Sequence, residues 1–275
     1  MTITAGIDIG TSATKVVVIN DRHDILGSAI HKTGANLETA SEKAYALALG
    51  AAGLGSADVD YVASTGFGRS TVPFRNIQMT DLTAHGQGAR VLFPGTRSVM
   101  DIGAQSTRAM RIAPTGQVKQ LRMNDKCAAG AGTFLVRVAK YLELSVDELG
   151  PMAVKATEPT QISSVCAVLA ESEIINHVTA GKRLEDILKG AMLSIASRAQ
   201  ALLKRIGIEQ EVTLTGGICL NVGMLQAVEE AMGQKVNFHR ELGVFAGALG
   251  AAVLAQTRLD VLRRGGQGAP VAAVA

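Results

Sequence analysis

The chain has 275 residues, a formal net charge of +3, a pI near 8.8, and 47% hydrophobic but only 3% aromatic residues. Such a length accommodates two domains with a substantial core. Mild basicity without a Lys/Arg run, together with few aromatics, argues against nucleic-acid binding. Three cysteines are too few, and odd in number, for a disulfide scaffold, which points to a reducing compartment. No charged segment followed by an apolar one opens the sequence. No apolar stretch approaches bilayer-spanning length without charges. A cytoplasmic protein without membrane association is expected.

In chain order, residues 2–8 read as a strand that runs into a tight glycine turn at 10–14. Residues 15–19 and 25–30 read as two further strands. Three strands joined by short turns pair antiparallel. No helix follows the first glycine turn, which excludes a Rossmann opening. No GxxxxGK[ST] motif is present, which excludes a Walker A loop. An alanine-rich helix over 37–54 follows, then a strand over 59–63 ending in the turn 65–69, which reads first as a plain glycine turn and otherwise as one that shapes the cleft between lobes. A helix over 82–92 carries His85. A strand over 98–101 and a hairpin of 107–112 with 118–121 complete this half, which alternates strands and helices as α/β domains do.

The second half is more helical. A helix runs from after Cys127 to about 142, and a short helical turn over 144–149 is stopped by Gly150 and Pro151. A helix from after Cys166 ends near 181. A long amphipathic helix over 184–206 ends at Gly207. A strand over 211–215, a helix over 221–232, a short strand over 235–237 and a small-residue helix over 242–254 follow. The expected organisation is an N-terminal α/β lobe over 1–123, a C-terminal α/β lobe over 124–262 and a flexible tail over 263–275.

Three turns share one chemistry: each ends a hydrophobic strand in glycine. They are Asp-Ile-Gly-Thr-Ser at 8–12 with Lys15 after it, Asp-Ile-Gly-Ala-Gln at 101–105, and Thr-Gly-Gly at 215–217. Strand ends are where open α/β sheets place ligands. Backbone N–H groups in such turns cradle phosphate, and two strand-end aspartates suit a Mg²⁺ ion that keeps its waters. Any one of these turns is an ordinary turn by itself. The three together resemble the actin, sugar kinase and Hsp70 ATPase superfamily, with its phosphate 1, phosphate 2 and adenosine motifs. Residues 242–254 match that superfamily's second connecting helix.

Cys127 and Cys166 each precede apolar residues at helical spacing. A thiol at a helix N-terminus faces unpaired N–H groups and the positive end of the helix dipole, which lowers its pKa and favours metal ligation. Free cysteine also behaves as a small buried hydrophobe, and no CxxC is present, so spacing alone leaves both roles open. If both thiols are ligands, a four-thiolate cluster needs two more from a second subunit. Cys219 reads as a buried structural thiol. His85, His177 and His239 stand apart from one another, none at metal-ligand spacing; His85, near the start of a helix, reads as structural or else as a nucleotide-cleft or interface residue.

The stretch 124–134, Asn-Asp-Lys-Cys-Ala-Ala-Gly-Ala-Gly-Thr-Phe, and the stretch 163–173, Ser-Ser-Val-Cys-Ala-Val-Leu-Ala-Glu-Ser-Glu, narrow the superfamily. They resemble the BadF/BadG/BcrA/BcrD-type iron–sulfur ATPases. That family includes the activators of 2-hydroxyacyl-CoA dehydratases and the ATP-binding subunits of benzoyl-CoA reductase. The resemblance spans about residues 3–256. It implies a two-lobed, ribonuclease H-like ATPase fold and one 4Fe–4S cluster bridging two subunits through Cys127 and Cys166 of this chain. Asp8 and Asp101 would position Mg²⁺ and the attacking water, and Gln105 would orient that water. Gly10, Thr11, Ser12, Lys15 and Gly103 would serve the phosphates of ATP, and Gly216 and Gly217 the adenosine. Glu171 and Glu173 would line the nucleotide cleft or cap their helix.

At the second phosphate turn, dehydratase activators read Asp-Ile-Gly-Gly-Gln-Asp-Ser-Lys, whereas this chain reads Asp-Ile-Gly-Ala-Gln-Ser-Thr-Arg at 101–108. That segment is more similar to the smaller ATP-binding subunit of benzoyl-CoA reductase. The resemblance then implies a second, related ATPase subunit sharing the cluster, two ring-reducing subunits, and ferredoxin as electron donor. A homodimeric dehydratase activator is the alternative within the family. A small sugar or acyl kinase is the alternative outside it.

Overall fold

The computed structural model describes residues 1–124, 132–163 and 167–265. Cys127, Cys166 and the end of the expected tail lie outside the described residues. The chain divides into two compact units. Of the described residues, one unit takes Met1–Pro94, Thr115–Val118 and those from Phe245 on; the other takes Gly95–Pro114 and those of Lys119–Val244.

The first unit is built on a five-stranded sheet, in the order β3-β2-β1-β4-β5. Its strands are β1 (Thr4–Ile9), β2 (Ala13–Ile19), β3 (Ile25–Lys32), β4 (Tyr61–Gly66) and β5 (Ile77–Gln78). The first three strands pair antiparallel, as short polar turns require, and β4 lies parallel to β1. Helix α1 (Leu37–Ala52) starts where the Asn36 side chain accepts the Thr39 N–H, and stops at Gly53 in the left-handed region. Ile7, Ile9, Val16 and Val18 pack with Ala44, Ala48 and Leu49 of α1 in one core.

Helices α2 (Asp81–Leu92) and α8 (Ala246–Arg263) belong to the same unit. They meet through glycine: a Cβ on Gly88 would lie 1.8 Å from the Ala246 carbonyl oxygen, and one on Gly250 1.8 Å from that of Ala84. The small residues are therefore what lets two backbones touch. Residues 243–263 are, by length and composition, apolar enough to cross a membrane, contrary to the expectation from sequence. However, 67% of the most apolar window is buried inside the protein, as suits a core helix.

The second unit holds a four-stranded sheet, in the order β8-β7-β6-β9. It comprises β6 (Ser98–Ile102), β7 (Thr107–Ile112), β8 (Val118–Asn124) and β9 (Val212–Thr215). Strand β7 runs antiparallel to β6, and β9 parallel to it. Its helices are α3 (Gly132–Tyr141), α4 (Val146–Ala153), α5 (Ala167–Thr179), α6 (Leu184–Ile206) and α7 (Val222–Met232). Phe134, Leu149, Ile174, Ile187, Leu188 and Met192 are buried in its core.

Three local expectations are revised. Gly150 and Pro151 do not end α4, which continues to Ala153. Leu149, Gly150 and Ala153 are buried, and a Cβ on Gly150 would lie 2.7 Å from Asn221 Oδ1, so this glycine serves a close approach to α7 rather than a stop. The expected strand over 235–237 is a single bridge between Thr213 and Asn237. The chain divides before β6, not near residue 123, because β6 takes β9 as its parallel partner and α8 returns to the first unit.

Candidate functional site

In the first unit the glycine turn between β1 and β2 is set by pairing. Asp8 stands opposite Lys15 across the antiparallel pair and opposite Thr65 across the parallel one. Asp8 is buried, and Lys15 Nζ donates to its Oδ2 at 3.1 Å. His85, reaching in from α2, places Nε2 4.0 Å from the same oxygen. A Cβ on Gly10 would meet Ala13 O at 2.9 Å and Lys15 Nζ at 3.0 Å, so glycine there keeps room for the ammonium group. Thr11 and Ser12 form the exposed tip. Thr33 braces the turn: its hydroxyl donates to Gly10 O at 2.8 Å and its N–H to Ser12 O at 3.1 Å.

The second unit repeats this plan. Asp101 stands opposite Arg108 across the antiparallel pair and opposite Thr215 across the parallel one. Arg108 Nη1 donates to Asp101 Oδ2 at 2.9 Å, and the Thr215 hydroxyl to Oδ1 at 3.0 Å. Gly103 closes its turn with an N–H bond to Ser106 O at 2.9 Å, leaving Gln105 exposed.

The correspondence extends to the parallel partner strands. Gly66 after Thr65 and Gly216 after Thr215 have φ of +88° and +98°. A Cβ on either would run into the neighbouring strand's Ile carbonyl oxygen (Ile9, 2.6 Å; Ile102, 2.4 Å) and approach the aspartate's Oδ1. Only glycine fits both the dihedral angle and the space. The turn at 65–69, read first as plain from the sequence, is thus the first unit's counterpart of the Thr-Gly-Gly turn.

Asp8, Gly10, Thr11, Ser12 and Lys15 are accordingly gathered in the first unit, and Asp101, Gly103, Gln105, Gly216 and Gly217 in the second. His85, Arg108 and Thr215 were not anticipated as partners of the aspartates. The signal for Arg108 and Thr215 lies in strand register; His85 comes from a helix far along the chain and leaves none. Gly216 N–H donates to Gly243 O at 3.0 Å, while Gly217 is exposed with open space beside its Cα. Cys219 is buried, its thiol 3.5 Å from Leu214 O, and burial pushes its pKa up, as does the nearby Asp101 carboxylate. It is a structural thiol, as expected.

The donors fit a magnesium nucleotide. Within each unit, a buried carboxylate beside a glycine turn suits an ion that retains most of its waters, and in the first unit a lysine beside such a turn suits phosphate. Among the described residues no three His, Cys, Asp or Glu side chains converge on a metal position. A 4Fe–4S cluster takes four thiols; the two that the resemblance expects from this chain, Cys127 and Cys166, lie outside the described residues.

Glu171 and Glu173 have partners within their own unit. Glu171 accepts from Arg137 Nη1 at 3.1 Å and from the Tyr141 hydroxyl at 3.0 Å. Glu173 accepts the Ser163 N–H at 2.5 Å.

Residues 5–255 match the BadF/BadG/BcrA/BcrD ATPase family. The chain is similar to a benzoyl-CoA reductase subunit of Thauera aromatica, with 40% identity over 276 residues, 97% of this chain and 98% of that protein. It is also similar to the solved activator of the 2-hydroxyisocaproyl-CoA dehydratase from Clostridium difficile with bound ADPNP. There the identity is 32%, the TM-score 0.91, and coverage 98% of this chain and 100% of that one. A ROK family glucokinase from Streptomyces griseus, 16% identical with a TM-score of 0.59, covers 93% of this chain and 99% of its own. That likeness shows the shared actin/sugar kinase/Hsp70-like fold alone.

Proposed function

The chain belongs to the BadF/BadG/BcrA/BcrD ATPase family, and from that premise we propose that it is the ATP-hydrolysing, electron-activating subunit of an ATP-dependent benzoyl-CoA reductase. The observation that carries this reading is the repeated strand-end carboxylate, once with Lys15 and once with Arg108, each above a glycine turn. In this reading Asp8 and Asp101 hold Mg²⁺ and the attacking water, with Lys15 and Arg108 as the cations beside them. Gln105 orients the water. Gly10, Thr11, Ser12, Lys15 and Gly103 bind the phosphates, and Gly216 and Gly217 lie against the adenosine. The relative solved with bound ADPNP supports nucleotide binding by this fold.

Cys127 and Cys166 supply two thiolates, and a second, related ATPase subunit supplies two more. These four thiolates would hold a 4Fe–4S cluster, which would supply low-potential electron transfer. Two ring-reducing subunits receive the electron, ferredoxin is the donor, and the assembly works in the cytoplasm. Similarity to the Thauera reductase protein at 40% identity supports this choice. A second reading, a homodimeric activator of a 2-hydroxyacyl-CoA dehydratase, is supported by likeness to the Clostridium difficile activator.

The test is phosphate release and ATP-dependent reduction of benzoyl-CoA by the complex purified without oxygen. Asp8→Asn and Asp101→Asn are each expected to lower phosphate release about 100-fold or more, and to stop electron delivery with it. Reduction that proceeds without ATP, or unchanged phosphate release in both variants, contradicts the proposal. Co-purification with a different ATPase subunit and two reductase subunits supports the reductase; a homodimer that activates a dehydratase supports the second reading.

A further inference from the structure

Within the second unit, the Asp101 turn is bonded directly to the start of α3. The Gly132 N–H donates to Gly103 O at 2.8 Å. The Thr133 N–H and hydroxyl both donate to Ala104 O, at 2.9 and 2.7 Å. The fit is close: a Cβ on Gly132 would lie 3.3 Å from Gly103 O. Helix α3 begins shortly after Cys127 in sequence, so the turn that carries Asp101, Gly103 and Gln105 is anchored to the helix that follows the first cysteine.

Helix α3 is clamped in turn to α5, the helix that follows Cys166. Arg137 and Tyr141 are four residues apart and therefore share one face of α3. Each engages a different oxygen of Glu171 on α5, at 3.1 and 3.0 Å. Two attachment points on one buried carboxylate restrain both the separation of the helices and their rotation, where a single bond would leave rotation free. Helix α5 is also tied back to the segment before Cys166. Glu173 accepts the Ser163 N–H, and Arg198 of α6 donates to Ser163 O at 3.4 Å.

We propose that Thr133 and Glu171 are positioning residues that join the Asp101 turn to the helices following Cys127 and Cys166 in sequence: Thr133 transmits the state of the turn to α3, and Glu171 passes it from α3 to α5. This rests on the nucleotide reading of that turn and on the ligand reading of Cys127 and Cys166. Coupling requires that the element between two sites respond to the ligand in one of them. Here the element is the α3–α5 pair, bonded to the turn by the Gly132 and Thr133 N–H groups and by the Thr133 hydroxyl, the one of the three that a side-chain substitution removes. A nucleotide that moves Ala104 must move that hydroxyl's acceptor.

The test uses iron-free full-length protein, so that it does not depend on a loaded cluster. Alkylation of Cys127 and Cys166 by iodoacetamide is followed by mass spectrometry with ADPNP or with ADP bound. Cys219, buried with a raised pKa, is the unreactive internal control. The wild-type protein is expected to show different rates in the two nucleotide states at both cysteines. In Thr133→Val the ratio of the two rates is expected to fall to about one at both, with ADPNP affinity within about threefold of wild type. Thr133→Ser, which keeps the hydroxyl, is expected to restore the ratio. Glu171→Gln is expected to remove it at Cys166 and keep it at Cys127.

A wild-type ratio of one overturns the inference, as does a Thr133→Val ratio equal to wild type. Loss in Thr133→Val without rescue by Thr133→Ser also overturns it, by assigning Thr133 a structural role only. Failure of the underlying reading shows elsewhere, as absence of iron from the oxygen-free protein or absence of ATP hydrolysis.

Discussion

At Asp101 a carboxylate with 1% exposure has Arg108 Nη1 at 2.9 Å on one oxygen and the Thr215 hydroxyl at 3.0 Å on the other. Withdrawing a charge from water costs several kcal/mol unless a partner compensates, and deleting the partner exposes that cost. Arg108→Met is therefore expected to lower the unfolding free energy by about 3 kcal/mol, measured by urea titration. A change below about 1 kcal/mol would mean that the pair behaves like an exposed one. The aspartates, the glycines beside them and Lys15 were legible in the sequence, because Asp-x-Gly after a hydrophobic strand is a local pattern. Which side chain faces each aspartate was not. Arg108 and Thr215 arrive through the register of β6 with β7 and β9, and His85 through packing of α2. The sequence leaves Glu171 between two roles because its partners, Arg137 and Tyr141, lie on another helix.

Helices α2 and α8 cross where glycine leaves no room for a methyl group. Gly250→Ala would press its Cβ onto the Ala84 carbonyl, and backbone cannot rotate away as a side chain can. A loss of about 2–3 kcal/mol is expected, read from the denaturation midpoint; a neutral result would show that the helices slide apart freely. Helix α6 tells of a different restraint. Asp186, in its first turn, accepts the N–H of Glu158 at 2.9 Å and of Thr157 at 2.8 Å, and these bonds hold its carboxyl below the usual carboxylate range, the Glu158 bond contributing most.

A depressed folded pKa adds stability above the unfolded value, and that stability is lost as pH falls through the folded one. Asp186→Ala should thus lower Tm more at neutral pH than in acid below the carboxylate range; an equal drop at both would assign the effect to packing. Both ends of α6 were legible, since its apolar spacing, early Glu185 and Asp186, late Lys204 and Arg205 and final Gly207 agree. The continuation of α4 through Pro151 was not, because burial of Leu149 and Ala153 overrides the local signal. Strand β5, two residues long, offers no period to read.

The two units share one construction: an antiparallel hairpin that sets a cation opposite an aspartate, and a parallel strand that sets Thr-Gly beside it. Alternating strands and helices made the α/β class legible, and the three glycine turns made the superfamily legible. The division of the chain was not, because it crosses between units after Pro94 and returns at Phe245, which no shift in composition marks. The cysteine stretches were legible as segments before helices, and the ligand role proposed for them rests on a second subunit.

The most direct measurement is therefore iron and acid-labile sulfide in the protein purified without oxygen, with Cys127→Ser and Cys166→Ser beside it. About two iron and two sulfide per ATPase chain, four per pair, lost in both variants, is the expected result. Oxygen-free wild-type protein that hydrolyses ATP yet holds no iron would contradict the electron-transfer function and leave an ATPase of the same fold with other chemistry.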